Sequence, residues 1–163
     1  MKIRPARMDD IGSITAIYND AILHTTATFD TEPKSLEDQK AWFLDHSSSF
    51  PVLVAELEGQ VIGWASLSRW SNKKAYSQTA ELSIYIDKLQ RGKGLGRKLM
   101  EEILQEGRKA GIHTILSRVA EGNEVSLHLH EGLGFELVGV MKEVGRKFNR
   151  LLDVHLMQRV FKK

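Results

Sequence analysis

At 163 residues the chain holds one domain, spanning 1–163, with a substantial hydrophobic core, and is too short for two domains of ordinary size. Hydrophobic residues at 42% and charged residues at 27% match average globular usage, which excludes disordered, collagen-like and low-complexity classes. Lys and Arg total 23 against 21 Asp and Glu, and cysteine is absent, so nucleic-acid binding through bulk charge, disulfides, thiolate nucleophiles and thiolate metal sites are excluded together.

A short strand is expected near Lys2–Arg7, followed by a helix capped by Asp9, with Ile11, Ile14, Ile17 and Ile22 on one apolar stripe. Charged residues occupy the first ten positions where a signal peptide carries an apolar stretch, and runs such as Val61–Leu67 are too short to span a bilayer. The expectation is a cytoplasmic protein without a membrane partner. The polar, β-branched segment Thr25–Thr31 reads as a loop, and Ser35 as the N-cap of a second helix. Pro51–Leu57 and Gln60–Leu67 flank the turn Glu58-Gly59 and predict an antiparallel hairpin; Ser68–Lys74 is a loop and Thr79–Asp87 a strand.

In the second half, a glycine-rich turn from Gly92 to Gly96 opens a helix closed by Gly111. A strand over His113–Val119, a helix from the cap Asn123 to about Glu131, a strand from Phe135 to about Val144 and a last strand over Leu151–Val160 complete the chain. The order β-α-α-β-β-β-α-β-α-β-β predicts an α/β (α+β type) fold, a mixed and mostly antiparallel central sheet flanked by helices.

Chemistry concentrates where the strand Glu81–Asp87 runs into the turn. Glycines at 92, 94 and 96 let backbone N–H groups converge at the positive end of a helix, and Arg91, Lys93, Arg97 and Lys98 surround them. Such a place binds a multiply charged anion, and a pyrophosphate fits. The dinucleotide pattern G-x-G-x-x-G and the phosphate loop G-x-x-x-x-G-K-[ST] both fail on spacing. Arg91-Gly92-Lys93-Gly94-Leu95-Gly96 instead resembles the R-x-x-G-x-G acetyl-CoA loop of the GNAT acetyltransferases. Asn123 and Ser126, followed by a helix and the turn Leu133-Gly134-Phe135, resemble that family's second signature. Tyr18-Asn19, Thr28–Pro33, Glu81–Ile86 and Val144–Phe148 with Leu152–Val154 resemble the phosphinothricin (methionine sulfoximine) N-acetyltransferase subfamily, so the likeness covers nearly the whole chain. Ser77 and Leu151 depart from it, standing where those relatives often carry Arg and Trp.

The resemblance implies direct transfer of acetyl from acetyl-CoA to the α-amine of phosphinothricin, methionine sulfoximine, methionine sulfone or a related amino-acid analogue. The rivals are a protein N-terminal or polyamine acetyltransferase and a non-catalytic acyl-CoA-binding module. An ammonium must lose a proton before it attacks a thioester, and Glu81, buried beside Leu82 and Ile84, is the candidate base; a strand-end carboxylate in an ion pair is the alternative. His130 is the candidate acid for the leaving thiolate, with packing as its alternative; His128 and His130 at i,i+2 point apart, so no metal is expected. The resemblance further implies that Ile84, Tyr85 and Ile86 pair with the pantetheine arm, that Arg91–Arg97 (Arg91, Gly92, Lys93, Gly94, Leu95, Gly96, Arg97) hold the pyrophosphate, and that Asn123 and Ser126 support the arm, Asn123 also capping its helix. Phe29, Thr31, Tyr76, Ser77, Gln78, Thr79, Lys147 and Phe148 are the expected amine-substrate contacts, although Lys147-Phe148 is equally placed for the homodimer contact that the resemblance implies.

Overall fold

The computed structural model describes residues 1–162. Its elements are β1 (Lys2–Pro5), α1 (Ile11–His24), α2 (Leu36–Leu44), β2 (Val52–Leu57), β3 (Gln60–Arg69), β4 (Thr79–Ile86), α3 (Leu95–Lys109), β5 (Thr114–Ala120), α4 (Glu124–Gly132), β6 (Glu136–Lys147) and β7 (Arg150–Val160). Short 3-10 turns at Met8–Asp10, Lys74–Tyr76 and Lys88–Gln90 interrupt the connections. The strands form one seven-stranded sheet in the order β1-β2-β3-β4-β5-β7-β6, antiparallel except where β4 meets β5.

Alternation along β4 divides the layers. Leu82, Ile84 and Ile86 pack with Leu99, Met100 and Ile103 of α3, whereas Tyr85 packs with Ile11, Ile14, Trp64 and Tyr18 beneath α1. Helices α1 and α2 thus cover one face and α3 and α4 the other.

Local signals placed most boundaries. Ser35 Oγ accepts the Asp38 N–H at 3.1 Å and Asn123 Oδ1 accepts the Ser126 N–H at 3.2 Å. The β2–β3 hairpin turns on Glu58 and Gly59, both in the left-handed region at φ 51° and 80°. The expected Asp9 cap is a correction: the 3-10 turn ends at Asp10, whose carboxylate accepts the Arg7 N–H at 2.7 Å and two Arg4 N–H bonds at 2.8 Å. The N-cap position of α1 thus falls one residue after the expected cap, and the aspartate there is held by Arg4 and leaves the helix without a side-chain cap. Arg4 also donates to Glu56 at 2.8 Å, tying β1 to β2.

Strand β6 runs on to Lys147, past the expected end near Val144, and turns into β7 through Phe148 and Asn149 at φ 52° and 58°. Pairing shifts between Leu137 and Gly139 and again between Met141 and Gly145. At the second irregularity Asp153 Oδ1 accepts the Glu143 N–H at 2.8 Å. In β7 the buried positions are Leu152, Val154 and then Met157, a change of parity that strict alternation did not anticipate.

Candidate active site

Strands β4 and β5 pair at only three positions, Thr79↔Thr114, Ala80↔Ile115 and Glu81↔Leu116. Beyond Glu81 they diverge, and residues 82–86 keep β3 on one side and no strand on the other. A cleft of about 500 Å³ opens in this divergence. Its lining comes from β4, β5, α4 with its cap Asn123, and the Thr26–Asp30 segment of the α1–α2 loop, with Tyr18 of α1 and Val154 of β7.

The two sheet faces supply different chemistry to this opening. Glu81 shares its face with Tyr85 and, two residues past its partner Leu116, with Arg118 of β5. Arg118 Nε lies 3.3 Å from Glu81 Oε2, and its guanidinium stacks on Trp70 at 4.8 Å. Burial pushes the Glu81 carboxyl above the usual carboxylate range, and Arg118 opposes that rise. Leu82 and Ile84, expected as its neighbours, project from the opposite face.

On the other face stands a buried pair. Ser117 Oγ is 2.7 Å from His130 Nε2, and His130 Nδ1 is 2.6 Å from the Ser126 carbonyl oxygen. A carbonyl can only accept, so Nδ1 carries the proton and Nε2 accepts from the Ser117 hydroxyl. The ring is 1% exposed and packs edge-on against Phe135 at 4.9 Å. Burial holds the imidazole below its ordinary range and keeps it neutral near pH 7, with the Ser126 carbonyl working against the shift.

The wall made by the α1–α2 loop is fastened from three directions. Asn19 donates to the Lys34 carbonyl at 3.0 Å and accepts the Lys34 N–H at 2.8 Å, anchoring the loop's far end to α1. Lys147, buried at the end of β6, donates to the Thr28 carbonyl at 2.7 Å. The Phe29 ring lies against Gly145, where any Cβ would overlap it. Tyr18 donates to Asp30 and contacts Thr28 Oγ1 at 3.0 Å, and Tyr85, its phenol pushed up to about 12 by burial, closes the floor.

Beyond the open end of β4, Gly92 and Gly94 take φ 76° and 79° and turn the chain into α3, where Gly94 is the N-cap. A Cβ at either would meet nothing within 4 Å, so the space over this turn is open, and the first-turn N–H groups of α3 face it without helical acceptors. Lys93 and Lys98 stand beside it, exposed. Arg91 donates to the Ile86 carbonyl at 3.2 Å, and Arg97 is drawn along the helix to Glu101 at 3.0 Å. Gly96 sits inside the first turn with ordinary helical φ, and its hydrogen faces Leu129 of α4.

Among the expected residues, Glu81, His130, Ile84, Tyr85, Asn123, Ser126 and Phe29 therefore meet at the cleft. Ile86 and Arg91–Arg97 continue from it toward the helix start. Tyr76, Ser77, Gln78 and Thr79 lie at the base of β4, outside the lining; Thr31 and Phe148 are also outside it, and Lys147 contacts the loop wall from behind. Ser117, Arg118 and Asp30 are cleft residues that sequence reasoning missed. The available signal was a serine and an arginine interrupting the apolar run of β5. Among the described residues no group of three or more His, Asp or Glu is placed to hold a metal ion, and no helix is long and apolar enough to cross a membrane.

A sheet that parts around a carboxylate, with an anion-ready helix start beyond the opening, is the arrangement of an acyl-CoA acyltransferase, and residues 14–135 match the acetyltransferase (GNAT) family, to which this chain belongs. It is an acetyl-CoA-dependent N-acetyltransferase. Over 158 residues it is 40% identical to the L-methionine sulfoximine/L-methionine sulfone acetyltransferase of Pseudomonas aeruginosa, covering 96% of this chain and 92% of that one. The solved GNAT superfamily phosphinothricin acetyltransferase of Sinorhizobium meliloti, in complex with acetyl-CoA, superposes with a TM-score of 0.94 at 36% identity, covering 98% of this chain and 88% of that one. The ribosomal-protein-alanine N-acetyltransferase of Brucella melitensis superposes with a TM-score of 0.95 at 38% identity, covering 99% and 100%.

Proposed function

We propose that the chain acetylates the α-amine of small amino-acid analogues of the methionine sulfoximine, methionine sulfone and phosphinothricin type. The observation that carries this reading is the β4–β5 divergence, with a half-buried carboxylate on one face and a neutral, buried Ser–His pair on the other. The unpaired edge at 84–86 offers main-chain groups to the extended amide arm of acetyl-CoA, and the open turn at Gly92–Gly94, with Arg91, Lys93 and Lys98, suits its pyrophosphate. Asn123 and Ser126, whose pairing caps α4, border the same path.

Glu81, ionised, takes a proton from the substrate ammonium, directly or through one water, and frees the nitrogen lone pair to attack the thioester carbon. As the nitrogen–carbon bond forms and the carbon–sulfur bond breaks, nitrogen sheds a second proton and the thiolate takes one up. Neutral His130 is suited to pass that proton: Nε2 accepts from Ser117 while Ser117 accepts in turn, and the reverse transfer delivers a proton to sulfur. An ordinary thiol ionises at about 8.5, so this step assists departure without being indispensable. With no cysteine to carry the acetyl group, direct attack in a ternary complex is the economical route.

We place the enzyme in the cytoplasm, without nucleic-acid or membrane partners, as a homodimer. Support for self-association comes from β6, a sheet edge that exposes Leu137, Val138, Val140, Met141 and Val144, with Phe148 at its turn. The Brucella melitensis neighbour favours a second reading, acetylation of a protein N-terminus. Thiol release from acetyl-CoA, measured with methionine sulfone, methionine sulfoximine, phosphinothricin, spermidine and an N-terminal peptide, separates the two. The amino-acid analogues should lead in kcat/KM, and a leading peptide or polyamine overturns the proposal.

A further inference from the structure

The cleft lining contains one cation, Arg118, and two carboxylates, Asp30 and Glu81. Asp30 is already engaged, accepting from Tyr18 and standing 3.6 Å from Lys34 Nζ. Arg118 is differently placed. Its Nε faces Glu81, its flat side is fixed on Trp70, and its two terminal nitrogens have no partner among the described residues. The side chain is 54% exposed, so an incoming molecule can reach that fork. Parity puts the fork on the same sheet face as the Glu81 carboxylate.

We propose that Arg118 receives the α-carboxylate of the acceptor, so that Glu81 and Arg118 together read the adjacent opposite charges of a free α-amino acid. This deepens, and rests on, the reading of the cleft as an amine-acetylating site. In an α-amino acid the ammonium and carboxylate flank a single tetrahedral carbon, and the protein presents their counterparts side by side. A guanidinium fork grips a carboxylate through two parallel N–H bonds, and stacking on Trp70 orients the fork before substrate arrives. A polyamine would bring a second cation against the guanidinium, and a peptide N-terminus would bring a neutral carbonyl that leaves half the fork unmatched. Occupation of Arg118 also draws its charge away from Glu81, which strengthens Glu81 as a base when the correct acceptor is bound.

The test compares methionine sulfone with its α-carboxamide, which differ in the carboxylate alone, on wild type, Arg118→Ala, Arg118→Gln and Arg118→Lys. Acetyl-CoA affinity by calorimetry confirms that each variant is folded. Wild type should favour the acid over the amide on the order of 10–100-fold in kcat/KM, mostly through KM. In the Ala and Gln variants that ratio should collapse toward one, with Lys intermediate, while the change in the acid limb of the pH profile is common to both substrates. Retention of the wild-type ratio in Arg118→Ala or Arg118→Gln, with acetyl-CoA binding intact, overturns the role of Arg118. Equal use of acid and amide by wild type overturns it too, while leaving the amine-acetylating site in place. Acetylation of neither, alongside a good peptide or polyamine substrate, refutes the underlying reading instead.

Discussion

Removing the Ser117 hydroxyl should destabilise the protein more than its size implies, and a second substitution should restore much of the loss. Ser117→Ala leaves His130 Nε2, an acceptor in a ring 1% exposed, without a donor. A buried polar group stripped of its partner costs about 1–3 kcal/mol. For a chain of this length each kcal/mol lowers Tm by about 2–4 °C, so a drop of about 2–12 °C is expected. Adding His130→Phe replaces the orphaned ring with an apolar one that fits against Phe135, and exchanging both partners of a hydrogen bond for apolar groups is close to neutral. Thermal and urea denaturation of the four members of this cycle should give a coupling of at least about 1 kcal/mol, the double variant being more stable than the sum of the singles. Its pH dependence adds a check with a defined sign. The native state holds His130 neutral where the unfolded chain, with a normal imidazole at about 6.5, binds a proton, so wild-type stability falls as pH drops below that value. The slope should weaken in His130→Phe. Additivity within about 0.5 kcal/mol, or an unchanged slope, would refute the pairing of Ser117 with a neutral imidazole.

Glu81→Gln should lower kcat/KM by about 10²–10⁴-fold with acetyl-CoA affinity unchanged. The wild-type rate should fall as pH drops through the raised pKa of Glu81, and a pH–rate profile for the variant that keeps the wild-type limb removes Glu81 from the chemistry. Gly145→Val forces the Phe29 ring out of its seat, so kcat/KM for the amine should fall by about 10–100-fold while acetyl-CoA binding is retained, as steady-state kinetics and calorimetry will show.

Much of this architecture is legible in the sequence because its signals are local. Ser35 and Asn123 cap helices through bonds three residues long, Glu58-Gly59 turns a hairpin, and the glycines at 92 and 94 mark a left-handed turn. What escaped reading depends on tertiary pairing and on which face of the sheet is covered. The expected cap Asp9 lies one residue before the N-cap position of α1, and Asp10, which stands there, turns its carboxylate back to Arg4 and the Arg7 N–H instead of capping the helix. Ser117 and Arg118 are adjacent in β5 yet serve opposite faces, and only the register against Glu81 reveals it. Lys147, expected as a substrate or dimer contact, donates to the Thr28 carbonyl, a contact 119 residues apart in the chain that no local pattern announces. The parity change in β7 reflects a change in the covered face: its ladder with β5 is unbroken, but Met157 joins the core beneath α3 whereas Leu152 and Val154 are buried on the other face, which no alternation within β7 announces.

The three-rung ladder between β4 and β5 also works as a ruler. A ligand that continues the sheet can begin only where protein pairing stops, and that stop falls at Glu81 and Leu116. Displacing the stop by one rung would move the ligand by ~3.3 Å along the strand and offer it a residue from the opposite side of the sheet. Reaction geometry in this enzyme is therefore counted in whole residues. Insertions or deletions within 79–81 or 114–116 shift the site by a discrete step, whereas changes in the loop wall at Thr26–Asp30 adjust it by degrees, and the second region is the one in which acceptor preference can drift.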